Sequence, residues 1–495
     1  MRATALTCLL VLGALLVIEG CAVSTNPVSG RRRLYGYSWS EERRIGQEAD
    51  RQIVAQYGVY DDPKLAAYVD SLGQVILQHS HLRRPETPAE FRNTPFVFRV
   101  LDSPIVNAFA LPGGYIYVTR GLLAHVNNEA QLAVVLGHEI AHVAARHASQ
   151  RAFELQLGQV ALLGGAVVGQ EVLGLPGGHV LQLGGAVAQL LFLKYSRDDE
   201  RESDRLGVEY AARAGYDAAE AAAFFTSLKR LSEQAGATLP SFLSTHPDPG
   251  EREQTIRALA AHWRTALPTA MDRVLQEPYY RRIEGLVLGE DPRQGYVDGQ
   301  SFYHPTLRFW FPVPAGYHVI NQPTQVILAQ DKQEAVLVLT LASATSAAAA
   351  AQSWQGQQGL TIIDQGSERI NGLAAVYVVA EGKTADGQLV RVLRYFIEHE
   401  GRVYSFAGYA LREQYARHQP TFLQTIRGFA PLRDSARLNV QPIRLQVLRA
   451  ARSAPFRALL LDLPKGFTPE AVALLNQVTL DAPIPAGTPL KLPRP

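Results

Sequence analysis

Two histidines four residues apart, with a glutamate directly after the first, constrain this chain more than anything else in it: His138-Glu139-Ile140-Ala141-His142. On a helix, positions i and i+4 lie on one face, a turn apart, so both imidazoles can converge on a single cation. Two nitrogen ligands suit Zn²⁺, and a carboxylate beside them can activate water there. The flanking residues predict the helix. Asn128 is placed to cap its start, Gln131 completes a capping-box spacing, and Leu132, Val135, Leu136, Ile140 and Val143 form an apolar stripe. A buried amphipathic helix that merely carries two histidines would show the same stripe.

A catalytic zinc ordinarily takes three protein ligands and keeps one open position. An extended HExxHxxGxxH run is excluded, since Ala145 and Ala148 occupy its glycine and last histidine positions. His147, nine residues after His138, would fall on the far side of a continuous helix at about 100° per residue, so it is not expected as a ligand. The better source is Ser196 to Gly207, where Glu200 and Asp204 share a helix face. One carboxylate could bind the metal while the other fixes a ligand histidine. Taken alone, this charge run would read as a solvated helix face.

HEIAH followed by an ExxxD helix resembles the zinc metallopeptidases that include the CAAX prenyl proteases, the bacterial heat-shock membrane protease and the periplasmic β-barrel assembly-enhancing protease. The resemblance runs from about Asn26 to His262. It includes Asn26-Pro27-Val28-Ser29-Gly30, Asn107-Ala108-Phe109-Ala110-Leu111-Pro112-Gly113-Gly114 and Ser244-Thr245-His246-Pro247. It implies one Zn²⁺ per chain held by His138, His142 and Glu200, with Glu139 as general base and Asp204 behind the ligands. Ser203 stands where family members commonly have alanine. His246 and Arg252 are candidates to stabilise the oxyanion, and the family likeness also makes His246 a candidate gate over the metal. Phe96 to Leu101 and Ile105 to Leu111 alternate as strands around a turn, so Asn107, Ala108, Phe109 and Ala110 are expected to meet substrate along an exposed edge. A hairpin that only covers the helix is the plainer reading of the same pattern.

Arg2 followed by an apolar run to Ile18 reads as a secretory signal over residues 1–20. Gly20-Cys21 resembles a lipobox, with Glu19 an unusual neighbour, and the only other cysteine, Cys8, lies inside the signal. Lipidation of Cys21 would place the protein in the periplasm on the outer membrane, on a linker spanning 21–45. The net charge of +2 brings no basic stripe and argues against nucleic acid. Residues 155 to 193 are apolar and glycine-rich, and glycines with Pro176 divide them into stretches shorter than a bilayer needs, which predicts a helical hairpin that packs on the catalytic core or dips towards the membrane.

After Leu267 the texture changes to alternating strands: Phe309 to Phe311, Ala335 to Leu341, Ala375 to Val379, Val390 to Ile397 and Val403 to Tyr409, with helices near Ser346–Gln357 and Glu413–Arg427. The expected architecture is therefore α+β. It comprises a mainly helical zincin-like (gluzincin) peptidase domain at 46–266 with a small β-hairpin or sheet, an α+β accessory domain at 299–431, which weakly resembles the photosystem-II-associated and Mog1-like fold, and a small module at 436–495. The last faintly resembles a LysM-type module, which would bind peptidoglycan; a proline-rich extension packed on the preceding domain fits as well. The functional expectation is proteolysis of misfolded or stalled envelope proteins. The alternative is a non-proteolytic, chaperone-like or peptidoglycan-binding factor for outer-membrane assembly.

Overall fold

The computed structural model describes residues 22–154, 195–235, 242, 246, 251–267, 270–330, 334–383 and 387–495. The expected signal, Cys21 and the apolar stretch at 155 to 193 lie outside the described residues. Among those described, no helix is long and apolar enough to cross a membrane. The architecture is α+β, in two compact units.

The first unit holds the described residues of 22–54, 58–289 and 443–495. Helix α1 (Trp39–Tyr57) starts at a reciprocal capping box: Ser38 Oγ accepts from the Glu41 amide, and the Glu41 carboxylate accepts from the Ser38 amide. Helix α2 (Pro63–Gln78) combines an Asp62 cap with proline in its first turn and buries Leu65, Val69, Leu72 and Ile76. A three-stranded sheet follows: β1 (Val97–Leu101), β2 (Ala108–Leu111) and β3 (Tyr115–Thr119), in the order β1-β3-β2. The expected pairing of the first two strands is corrected here. β1 runs parallel to β3, and the hairpin is β2–β3, turned by Pro112-Gly113-Gly114. Gly113 has φ +80, and a Cβ there would lie 2.5 Å from Arg43 Cα, so the turn presses against the α1 backbone.

Helix α3 (Arg120–His125) leads into α4 (Glu129–Ala145), which carries the HEIAH sequence. The apolar stripe read from the sequence is only part of the picture, because every residue of α4 is buried. A helix covered on all sides is the core of its unit rather than an amphipathic surface element. Asn128 Oδ1 caps the Gln131 amide as expected. The return half of the expected box differs: Gln131 Oε1 accepts from the Asn127 amide, one residue earlier. Helices α5 (Arg197–Arg213), α6 (Ala221–Ala235) and α7 (Arg252–Ala266) complete this layer.

Helices α4 and α5 touch backbone to backbone. A Cβ on Gly137 would sit 2.8 Å from Gly207 O, and one on Gly207 would sit 2.7 Å from His138 N. Only glycine at both positions permits this approach, which places the ExxxD face of α5 directly opposite the HExxH face of α4.

Residues 22–45 of the expected linker fold into this unit instead. Ala22–Thr25 pairs antiparallel with Arg32–Tyr35. In the turn between them, Asn26 Oδ1 accepts from the amides of Val28 and Ser29, while its Nδ2 donates to Ala145 O at the end of α4. The chain returns to this unit at Ile443, so residues 443–495 of the stretch expected at 436–495 share the peptidase core rather than standing apart. Strands Arg444–Arg449 and Pro489–Arg494 pair antiparallel, and Lys491, fully buried, donates from Nζ to the carbonyls of Ala124 in α3 and Val126 just after it.

The second unit comprises Ala55–Tyr57 and residues 290–442. Its antiparallel sheet has seven strands in the order Thr361–Ile370, Leu373–Lys383, Leu389–His399, Arg402–Leu411, Ala335–Ala342, Gln325–Gln330 and Tyr317–Gln322. Helix Ala347–Gln355 covers one face through Trp354, and helix Arg412–Arg427 joins a separate cluster with Phe406 through Tyr415, Phe422 and Ile426. The alternating strands and both helices expected here are present. Thr361–Ile370 was not expected, because this edge strand is polar and largely exposed.

Two outcomes test this packing. Gly207→Ala forces a methyl against His138 N and should cost about 1–3 kcal/mol of stability in denaturant titrations, with weakened metal binding alongside. Burial holds the Lys491 ammonium well below its ordinary value of 10.5. The unfolded chain therefore binds the extra proton, and the Lys491 contribution to stability should rise as pH climbs toward 10.5. The parent-minus-Lys491→Met difference in unfolding free energy should show that slope; a flat difference contradicts it.

Candidate metal centre

Helix α4 presents His138, Glu139 and His142, α5 presents Glu200 and Asp204, His246 comes from the segment between α6 and α7, and Arg252 opens α7. All seven are buried. His138, His142, Glu200 and His246 form a group able to hold a metal ion, with one donor atom from each lying within 4.8 Å of the others.

The distances fit such an ion. His138 Nε2 and His142 Nε2 are 3.0 Å apart, and each lies 3.4 Å from a Glu200 oxygen. A tetrahedral centre with ligands at about 2.0–2.1 Å has edges of about 3.3–3.4 Å. His138 Nδ1 lies 2.9 Å from Asp204 Oδ1 and donates to it, which leaves the Nε2 lone pair facing His142. Two imidazole nitrogens 3.0 Å apart need a cation between them, either a proton or a metal ion. His246 Nδ1 supplies the remaining side, 3.3 Å from His138 Nε2 and 3.0 Å from Glu200 Oε1.

Electrostatics follow from this crowding. Burial pushes the His138 imidazole down, but Glu200 and Asp204 outweigh it and raise its pKa to about 9. Burial pushes His142 well below the ordinary histidine value. Burial likewise raises Glu139, and neither of its carboxylate oxygens has a hydrogen-bond partner among the described residues. His246 Nε2 lies 3.7 Å from Glu139 Oε1. A buried carboxylate left without donors is costly, and such groups concentrate where chemistry is done.

Arg252 lies behind the centre. Its Nη2 and Nε reach Asp204 Oδ1 at 2.6 and 3.0 Å, and Nη2 is 3.3 Å from Glu200 Oε2. The guanidinium stacks over the Phe225 ring at 4.1 Å. Tyr195 stacks on His142 with centroids 4.0 Å apart, and Phe242 stacks on His246 at 4.7 Å. Asn107, Ala108, Phe109 and Ala110 lie at and just before β2, an edge strand that packs against α4.

Sequence reasoning missed the residues that hold the helix end. Arg146, in left-handed conformation at φ 60, donates to Glu42 Oε1 from Nε at 2.8 Å and from Nη2 at 2.6 Å, and lies over the Tyr35 ring. With Asn26 it closes the C-terminus of α4. The Asn26 motif was visible in the chain, but no local pattern ties Glu42 to a residue 104 positions later.

Asp204→Asn should remove the nearer of the two carboxylates that Arg252 meets, leaving Glu200, and destabilise the fold by about 1–3 kcal/mol in denaturant titrations. Metal affinity should fall roughly 10–100-fold, as for other carboxylates that orient a ligand histidine. Chelator competition measures the second effect, and unchanged affinity contradicts it.

Residues 58–260 match the model of peptidase family M48. Beta-barrel assembly-enhancing protease of Escherichia coli (strain K12) is 31% identical over 221 residues, covering 43% of this chain and 43% of that protein. Mitochondrial metalloendopeptidase OMA1 of Schizosaccharomyces pombe (strain 972 / ATCC 24843) is 30% identical over 251 residues, covering 50% of this chain and 70% of that protein. The chain spans less than half the length of the beta-barrel assembly-enhancing proteases it matches. Among solved structures, the solution structure of cyanobacterial PsbP from Synechocystis sp. PCC 6803 aligns with 28% of this chain and 98% of its own at 12% identity, with a TM-score of 0.23, too low to carry a fold assignment. The match across 58–260, with the 30% identity to OMA1 over 70% of that protein, settles the family: this chain belongs to peptidase family M48.

Proposed function

We propose that this chain is a zinc-dependent metalloendopeptidase of the bacterial cell envelope that cleaves misfolded or stalled envelope proteins. The observation that carries the reading is the convergence of His138, His142 and Glu200 beside a buried Glu139 carboxylate that has no hydrogen-bond partner among the described residues. These three residues would hold zinc, which supplies a Lewis acid able to polarise a scissile carbonyl and acidify water. Glu139 accepts a proton as water attacks and delivers it to the departing amine; its raised pKa suits a group that must both take and release. Asp204 fixes the His138 tautomer. Arg252, committed to Asp204 and Glu200, holds the carboxylates in place, which leaves His246 as the donor for the developing oxyanion. Substrate would enter as an extended segment along β2, where Asn107 to Ala110 lie and backbone pairing gives affinity without sequence selectivity.

The sequence supports the location: a signal over 1–20 and a lipobox-like Gly20-Cys21 would put the enzyme in the periplasm, anchored to the outer membrane. Peptidoglycan contact through residues 436–495 belongs to the same proposal and is tested by pull-down on purified sacculi.

One observation favours a second reading. His246 occupies the side of the centre that a substrate carbonyl would need, 3.3 Å from His138 Nε2. A site closed this way fits a gated enzyme, or a chaperone-like or peptidoglycan-binding factor for outer-membrane assembly that seldom cuts.

The deciding experiment measures zinc per chain and casein cleavage for the parent and Glu139→Gln. About one zinc in both, with cleavage reduced roughly 10²–10⁴-fold in the variant, is expected for loss of a general base. A parent without zinc, or a variant that cleaves as fast as the parent, overturns the peptidase reading. Full complementation of a deletion strain by Glu139→Gln selects the non-proteolytic factor.

A further inference from the structure

His147 was not expected as a ligand, because a continuous helix would turn it to the side away from His138, and the metal-binding group does not include it. The helix is not continuous. It ends at Ala145, and Arg146 turns the chain through φ 60, so His147 folds back against the preceding turn. There it is buried, with Nδ1 3.0 Å from His142 Nδ1 and the two rings near perpendicular, at 76°. On its other side, Nε2 lies 3.3 Å from Glu202 Oε2 and 3.8 Å from Asp199 Oδ1. Ser203 Oγ, at 3.4 Å, is a more distant neighbour of His147 Nδ1.

Proton placement follows from these contacts. His142 Nε2 faces His138 Nε2 and Glu200, the position of the ion, so a neutral His142 carries its proton on Nδ1. The acceptor opposite that proton is His147 Nδ1. His147 must then hold its own proton on Nε2, where Glu202 accepts it. The two histidines of HEIAH are thus oriented by different means. His138 donates directly to Asp204, whereas His142 donates through an intervening imidazole to Glu202. Metal-bound histidines ordinarily donate their second N–H to such a partner, which fixes ring orientation and raises basicity.

We propose that His147 is a positioning residue of the metal centre, accepting at Nδ1 the proton of His142 Nδ1 and relaying to Glu202. The proposal rests on the metallopeptidase reading above and adds a determinant of metal affinity that lies outside the HExxH/ExxxD set.

Two variants of the full chain separate this role from packing. The asparagine side-chain oxygen can take the place of histidine Nδ1, while the glutamine amide reaches the place of Nε2. His147→Asn should therefore keep the acceptor for His142 and hold zinc within about threefold of the parent, by chelator competition. His147→Gln should lose that acceptor and weaken zinc roughly 10–100-fold. The visible absorption of the cobalt-loaded protein should match the parent in His147→Asn and shift in His147→Gln, while the metal-free melting temperatures of the two variants stay alike. Equal zinc affinity in both variants, whether retained or lost, overturns the proposal, as does a greater loss in His147→Asn. A parent that binds no zinc overturns the metallopeptidase reading itself, and a parent that binds zinc with the variants equal overturns only the role of His147.

Discussion

The contact on which this structure depends is the one between Gly137 and Gly207. A Cβ at either position would come within 2.8 Å of the opposing backbone, so the two helices lie as close as their main chains allow. His138 follows Gly137, and Asp204 and Glu200 precede Gly207 on the facing helix. Their short side chains can meet only because the backbones are this close: the Asp204 carboxylate reaches His138 Nδ1 at 2.9 Å. The local cost of two helical glycines, about 1 kcal/mol each relative to alanine, is accepted where any side chain would push the donor atoms apart.

Around that contact the unit buries an unusual amount of charge. Glu139, Glu200, Asp204 and Arg252 are each at most 4% exposed, together with three imidazoles. Ion pairs in such surroundings add little net stability, because desolvation offsets attraction. What they provide is placement. Arg252 ties Asp204 to Glu200, Arg146 ties the end of α4 to α1 through Glu42, and Asn26 takes the Ala145 carbonyl. The surrounding apolar residues supply the stability that lets the polar centre remain preorganised. The C-terminal strands join from the far end of the chain, where Gln477 and Gln131 exchange amide hydrogen bonds near the start of α4. Both ends of the metal-binding helix are therefore held by segments remote in sequence.

The chemistry of the centre was legible in the chain because it is written in local periodicity. HEIAH and Glu200-x-x-x-Asp204 each use the i, i+4 spacing, which any helix converts into a shared face. The capping of α4 by Asn128 and the alternating strands of the second unit were legible for the same reason. The failures share the opposite cause. β1 pairs with β3 instead of its sequence neighbour, a choice made by the sheet as a whole. The span at 21–45 looked like a linker because its role, closing the end of α4 through Asn26, is a long-range hydrogen bond. His147 was misplaced because Arg146 breaks the helix in left-handed conformation, stabilised by Glu42 and the Tyr35 ring, neither of which is local.

The sequence by itself determined the donor types, their helical spacing and the α+β texture, since all three depend on residues within a turn or two of one another. Tertiary structure alone decided that the two motif helices meet through glycines, that His246 closes the fourth side of the centre, and that His147 lies behind His142. Those outcomes depend on backbone approach and on turns between distant segments, and neither leaves a periodic trace along the chain.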